Sequence, residues 1–340
     1  MSTTARSPRV AGALLLSLAL AVGCSSGTSG EGAGGDAQST ADANRTRVVT
    51  ADNGEITVPA SPKRVIATGY AVPALLEADA PLVGISAWSR GVPMMDADDR
   101  KKYEELPKVA GESASETNYE AIAEAEPDLI VIGVPKPVLA DIDLKRLESI
   151  APVVAIGPSV PSMWRDLSRK QADAAGAVEK FDSVKAEYEK QAADLAAKYA
   201  DVLPKLKLAH VGAYGEVAKG NFQREFDGSW GTNIAQDLGA GYYGEVKVKG
   251  GGSRDVSEYP SIEELPAAFA EAEAITYSVK ADGSVPAPVQ YVMDSPLWKE
   301  LPAVKAGKTF PLRYTEAATY EAAKLTLKAA DEAFAPLLAK

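Results

Sequence analysis

The residues able to do chemistry in this chain are few in kind, and that scarcity limits what they can do. Among 340 residues there is one histidine, His210, and one cysteine, Cys24. Neither a histidine-based catalytic triad nor a cage of several imidazoles for zinc or manganese can be built from that supply. The sequence holds no Gly-x-Ser-x-Gly elbow, no Gly-x-Gly-x-x-Gly between strand and helix, and no Walker motif. An enzyme on an α/β scaffold would have no visible machinery, so the chain reads as a binder. What recurs is an aromatic ring or an arginine just past a short apolar run. Tyr70 follows 64–68, Trp88 and Arg90 follow 81–85, Tyr214 follows 207–211, and Arg313 and Tyr314 follow 308–312. Trp230 and Arg254 sit in glycine-containing loops, the latter ending Gly250-Gly-Gly-Ser253. Rings and guanidiniums of this kind stack on a ligand and donate hydrogen bonds to its oxygens. The candidate ligand-binding residues are therefore Tyr70, Trp88, Arg90, Tyr214, Trp230, Arg254, Arg313 and Tyr314, with core packing as the competing role for each aromatic. Trp164, Trp298 and His210 read as core. The acidic run Asp96, Asp98, Asp99 lacks the glycine and distal glutamate of an EF-hand and reads as a solvated loop, so no metal site is assigned.

The elements that must position these residues follow a strand–helix rhythm. A hairpin is expected over 48–58, with Asp52-Asn53-Gly54 as its turn. Strands at 64–68, 81–85, 108–110, 128–132 and 153–156 alternate with helical stretches. Short apolar strands of this kind form a parallel sheet covered on both faces. The rhythm then stops for one long helical pattern over 162–200, in which Trp164, Leu167, Phe181, Val184, Tyr188 and Leu195 recur near a 3.6 period. At 1.5 Å per residue it would run roughly 57 Å, a rigid spine; its apolar stripe is too irregular for a coiled coil. Strands at 207–211, 274–277 and 308–312 restart the rhythm, and a helix from 319 to about 338 closes it. The halves echo each other: NYEAIAEAEPDLI at 118–130 against SIEELPAAFAEAEAIT at 261–276. The fold class is α/β, two lobes with mainly parallel sheets flanked by helices, joined by one long helix. Its parts are an N-terminal lobe at 48–160, a spine at 161–203 and a C-terminal lobe at 204–340. Ligands of such sheets bind beyond the carboxyl ends of the strands.

The beginning of the chain reads as a targeting segment. Arg6 and Arg9 precede an apolar run at 10–22 that is too short to span a bilayer. Leu20-Ala21-Val22-Gly23-Cys24 resembles a bacterial lipobox, with Ala21 where leucine is usual. Residues 1–23 are thus expected to be a lipoprotein signal peptide and Cys24 the lipidated residue. The Ser, Gly, Ala and Thr stretch at 24–47 is expected to be a flexible tether. The net charge of −11 argues against nucleic acid as a partner.

Taken in order, RVIATGYAVPALLEADAPLVGIS, VAGESASETNYEAIAEAEPDLIVIG, LESIAPVVAIG, the long helix, FDGSWGTNIAQDLGA, VSEYPSIEELPAAFAEAEAITYS and SPLWKELPAVKAGKTFPL are similar to the class III substrate-binding proteins. That family serves ABC importers of ferric siderophores, haem and cobalamin, and the chain looks most like its actinobacterial ferric-siderophore lipoproteins. The resemblance implies a lipid-anchored monomer on the extracytoplasmic face of the membrane. Its cargo would be a ferric siderophore that supplies all the iron's ligands, so no cofactor is needed. Haem or cobalamin is the alternative cargo. It also implies one outward glutamate per lobe pairing with permease arginines, and Glu120 and Glu263 match that motif; Glu264 falls at the capping-box position relative to Ser261. Two departures stand out. Residues 111–116 carry no arginine where hydroxamate binders of the family often have one, and Thr232 stands where some relatives have another. Acidic residues in the first-lobe loops, among them Glu112 and Glu116, favour a neutral or cationic hydroxamate chelate over an anionic catecholate.

Overall fold

The computed structural model describes residues 45–215 and 217–338. The signal segment at 1–23, Cys24 and nearly all of the tether lie outside the described residues. The folded part starts slightly earlier than the tether boundary at 47 implied. Strand β1 (Thr46–Ala51) pairs antiparallel with β2 (Gly54–Pro59), with Thr46 opposite Pro59. The turn of this hairpin is tied to the body. The Asn53 amide nitrogen donates to the Val153 carbonyl at 2.9 Å, and its oxygen accepts from Ala155 N at 3.0 Å. At the open end, the Arg47 guanidinium donates to Asp173 at 3.0 Å.

The first lobe is a five-stranded parallel sheet of β3 (Val65–Gly69), β4 (Leu82–Ser86), β5 (Lys108–Ala110), β6 (Leu129–Gly133) and β7 (Val153–Ala155). Its order is β5-β4-β3-β6-β7. Every residue of the interior strand β6 is buried, as a run of Leu, Ile and Val covered on both faces should be. Helices α1 (Ala71–Glu77), α2 (Ala97–Glu105), α3 (Tyr119–Glu124) and α4 (Leu144–Glu148) cover it. The acidic run expected as a solvated loop is the start of α2. Asp96 is its N-cap and accepts from Asp99 N at 2.8 Å, which places the carboxylates at the favourable end of the helix dipole.

The spine is two helices, not one. α5 (Trp164–Ala174) and α6 (Val178–Tyr199) are separated at Gly176, whose φ is +69°. Gly176 N donates to Asp173 O and Ala177 N to Ala172 O, both at 2.8 Å. That pair of bonds is a Schellman ending, with glycine at the left-handed position. The two helices also serve different partners. In α5, Leu167 and Ala174 pack with Val72, Leu75 and Leu76 of α1, and the Gln171 amide donates to Ile156 O at 2.7 Å. At its other end, Trp164 Nε1 donates to Asn233 Oδ1 at 3.0 Å and Arg165 pairs with Asp237 at 2.6 Å, both in the second lobe. The 22-residue α6 belongs to the second lobe, burying Phe181, Tyr188, Ala192 and Tyr199 in its core.

The second lobe holds β8 (Lys207–Gly212), β9 (Gln223–Glu225), β10 (Gly241–Tyr242), β11 (Ser257–Glu258), β12 (Ala274–Ser278) and β13 (Thr309–Leu312). The order is β11-β9-β8-β12-β13, with β10 also on β8. β8, β12 and β13 run parallel, while β9 is antiparallel to β8, so the sheet is mixed. α7 (Leu265–Ala268), α8 (Ala287–Asp294), α9 (Pro296–Glu300) and α10 (Pro302–Lys305) cover one face. α11 (Tyr320–Phe334) packs with α6 on the other.

Because the break at Gly176 needs a left-handed residue, Gly176→Ala should cost about 1–2 kcal/mol of stability. Gly176→Asn should cost less. Equal denaturation midpoints for wild type and Gly176→Ala would show that the turn does not require glycine.

Candidate functional site

The carboxyl ends of both parallel sheets meet at a cluster of rings around one guanidinium. Tyr70 caps α1, and its N–H donates to the Gly133 carbonyl at the end of β6, 2.8 Å away. Its ring stacks on Trp230 of the other lobe, centroids 5.9 Å apart and planes 10° from parallel. Its hydroxyl lies 3.3 Å from that of Tyr214. Arg90 stands between these rings in a 3-10 turn, Ser89–Met94, after β4. Its guanidinium carbon is 4.0 Å from the Trp88 ring centroid and 4.8 Å from that of Tyr70, and Nη1 donates to the Tyr214 hydroxyl at 3.3 Å. These are cation–π distances.

Local bonds hold that turn. Trp88 N donates to the Tyr103 hydroxyl at 2.8 Å. Ser89 donates to the Glu112 carboxylate from its N–H at 2.9 Å and from its hydroxyl. The Ser89 hydroxyl draws the Glu112 carboxyl below the usual carboxylate range. Glu116 is occupied in a capping box with Ser113. The loop acids expected to charge the mouth of the cleft are thus engaged in shaping it.

The second-lobe half is built on a buried polar layer. The His210 imidazole contacts Thr276 Oγ1 at 2.7 Å and Ser278 Oγ at 3.0 Å. Burial pushes its pKa down to about 3, so the ring is neutral. Gly231 lies flat on it; a Cβ there would overlap the imidazole. Gly231 N donates to Glu225 Oε2 at 2.5 Å, which fixes the loop that presents Trp230. Tyr214 N donates to Gln223 Oε1 at 2.7 Å. Tyr314 adopts φ +60°, an uncommon conformation for an aromatic residue, with its carbonyl held by the Thr326 hydroxyl at 2.7 Å.

The Tyr70–Tyr214–Arg90 contact divides the cleft. On one side is a compartment of about 330 Å³ lined by Tyr70, Pro135, Ser159, Trp230 and Arg254. On the other is one of about 430 Å³ lined by Arg90, Met94, Lys280, Tyr314 and Glu316. A space of about 220 Å³ beneath Tyr214 and Trp230 reaches Glu225, Ser278 and Glu316.

The structure therefore gathers Tyr70, Arg90, Tyr214, Trp230, Arg254 and Tyr314 at one cleft. Trp88 differs: it is 7% exposed and lies beneath Arg90, lining neither compartment. Arg313 differs more. Its guanidinium pairs with Glu332 of α11 at 2.6 Å and lines neither compartment. Sequence reasoning passed over Glu225 and Glu316. Glu316 was within reach of the rule that found Tyr314, four residues past β13; Glu225 sits on a three-residue antiparallel strand with little apolar signal. Among the described residues no group of three or more His, Cys, Asp or Glu is placed to hold a metal ion.

Behind the cleft, the last turn of α1 crosses to the other lobe. Glu77 is 3% exposed; its Oε2 accepts from Glu321 N in the first turn of α11 at 3.1 Å, and its Oε1 has no partner among the described residues. Burial pushes its carboxyl from 4.5 up to about 7. On the outer surface, Glu120 is exposed and paired with Arg146 of α4. Glu263 is exposed and makes no side-chain hydrogen bond or ion pair with another described residue. Its neighbour Glu264 closes the capping box with Ser261 and lies 3.4 Å from Lys247.

Comparison with known proteins gives a consistent picture. The profile of the family described as periplasmic binding protein matches residues 67–314. The iron(3+)-hydroxamate-binding protein YxeB of Bacillus subtilis is 28% identical over 303 residues, covering 87% of this chain and 86% of its own. The siderophore periplasmic binding protein from the fuscachelin gene cluster of Thermobifida fusca superposes with a TM-score of 0.65 at 28% identity, over 82% of this chain and 99% of that one. SirA of Staphylococcus aureus, complexed with staphyloferrin B, superposes at 0.63 with 19% identity, over 86% and 98%, a likeness of fold alone.

Two outcomes follow from this geometry. Trp88→Ala should lower stability by about 3–5 kcal/mol, because it empties a buried site, while Arg90→Ala should leave the melting temperature nearly unchanged. Equal melting temperatures for the two variants would contradict the placement of Trp88. For Glu77, the folded protein holds its proton more tightly than the unfolded chain does. That contribution to stability is fully present below about pH 4.5 and is lost as pH rises through about 7. Glu77→Gln should therefore stabilise the protein at pH 8, by about 2 kcal/mol, and reduce the difference in melting temperature between pH 5 and pH 8. An unchanged difference would show that Glu77 is not desolvated.

Proposed function

The chain belongs to the periplasmic binding protein family, and from that premise we propose that it captures a ferric siderophore of hydroxamate type between its lobes and hands it to an ABC permease. One observation carries this reading: the cleft converges on aromatic faces and a ring-held guanidinium. Rings and N–H donors recognise the periphery of a chelate, whose own oxygens hold the iron. Such a protein performs no bond-making chemistry and needs no cofactor. The name carried by YxeB supports the hydroxamate class. So does the balance of charge at the second compartment, where Arg90 and Lys280 face Asp282 and Glu316. A tris-catecholate bearing several negative charges would find no net positive field there.

The reading extends to delivery. We place the protein as a monomer on the extracytoplasmic membrane face, held by a lipid on Cys24. Glu120 and Glu263 would dock it on the two permease subunits. The exposure of both glutamates and the capping role of Glu264 support that choice.

Titration of purified protein with a neutral ferric tris-hydroxamate should quench tryptophan fluorescence at stoichiometric ligand, and the iron-free chelator should bind more weakly. A Soret or corrin band retained by the purified protein, with no quenching by the hydroxamate, would assign the cargo to haem or cobalamin. The double variant Glu120→Ala with Glu263→Ala should keep its affinity in solution and lose most uptake in cells. Normal uptake by that variant would remove the two residues from docking.

A further inference from the structure

Among the described residues, Glu316 is the one acidic residue shared by the outer compartment beside Arg90, the inner space above Glu225, and the small cavity of about 30 Å³ at Glu77. It reaches that junction because Tyr314 turns the chain at φ +60° after β13, while the Thr315 hydroxyl lies 3.3 Å from Ser278 Oγ. Its carboxylate makes no hydrogen bond and no ion pair with another described residue. Burial raises its pKa above the usual carboxylate range, and Arg90, the cation that faces it across the cleft, opposes that shift through space. The Arg90 guanidinium is spoken for by the Trp88 and Tyr70 rings and the Tyr214 hydroxyl. Glu225 lies deeper, fully buried, with a pKa raised to about 7 by that burial, so much of its charge is lost at neutral pH. Lys280 and Asp282 line the same outer compartment but are exposed to solvent, where screening weakens them. A half-buried carboxylate with no partner has lost much of its hydration without compensation.

We propose that Glu316 sets the charge preference of the cleft, selecting ferric chelates that carry an ammonium or N–H donor on the side facing the second lobe, opposite the oxygens that meet Arg90. This rests on the ferric-hydroxamate reading and sharpens it from a chelate class to the charge and placement of the chelate's substituent. A ligand ammonium at Glu316 would supply the charge-assisted hydrogen bond that the carboxylate lacks. A ligand carboxylate would be repelled there and would have only the already engaged Arg90 to turn to.

Three chelates with one ferric tris-hydroxamate core separate the possibilities: one ending in a primary ammonium, the same chelate N-acetylated, and the same chelate N-succinylated. Fluorescence titration of the wild-type protein should rank them ammonium, acetyl, succinyl, with about tenfold between the first two. Glu316→Gln should bring the three within about twofold of each other while keeping the affinity for the acetylated chelate. Glu316→Ala should do the same, and Asp282→Asn should leave the wild-type ranking in place. A flat or reversed ranking in the wild type overturns the proposal. So does a ranking that survives Glu316→Gln and Glu316→Ala, or one that Asp282→Asn abolishes. Absence of binding by all three chelates would instead overturn the hydroxamate reading beneath it.

Discussion

α1 touches the second lobe at both of its ends. At the cleft, Tyr70 stacks on Trp230 and meets Tyr214; one helix length away, Glu77 reaches the first turn of α11. Between those ends the helix is buried against β3, β6 and α5. A seven-residue helix is too short to bend, so the two crossings are mechanically one. Displacing the ring at Tyr70 loads the carboxyl at Glu77, and the position of one lobe relative to the other is referred to this element. α5 supports the same register from the side, with its first turn on Asn233 and Asp237 and its last on α1.

Placing ionisable groups along that interface has an energetic consequence. Glu77 and Glu225 are both buried, and burial raises the pKa of each to about 7. His210 is driven the other way and stays neutral. A site lined in this manner carries less charge at neutral pH than its residue types suggest. Counting acids in the sequence therefore overstates the field that a ligand meets. Glu112 makes the same point at the surface: its carboxylate is charged, yet it is committed to the Ser89 turn.

Much of the fold was legible because strand and helix periods are written in apolar spacing. β6 was plain as an unbroken apolar run, and the tyrosines that follow β3, β8 and β13, Tyr70, Tyr214 and Tyr314, stand at one cleft. The failures have definite causes. The helical pattern over 162–200 is continuous in hydrophobicity, and that spacing does not mark Gly176, whose left-handed conformation ends α5. Asp96 looks like part of a loop in the sequence because the cap it forms is followed by a helix with only Asp99 and Tyr103 buried. Arg313 and Tyr314 are adjacent, yet only Tyr314 lines a compartment: the Arg313 guanidinium, 5.8 Å from the Tyr314 ring centroid, is taken by Glu332 of α11.

The N-terminal hairpin is fastened at both ends, and this determines how the domain carries load. A force entering through the residues before Thr46 arrives at the open end of the hairpin, where Thr46 lies opposite Pro59. A ladder pulled from that end peels pair by pair, which is its weakest mode. Arg47 stands at the same end, and its bond to Asp173 diverts tension into the terminus of α5 before the ladder is strained. Asn53, at the far end, anchors the turn to β7 should peeling begin. Load entering ahead of Thr46 would thus be shared with β7 and with the carboxyl end of α5.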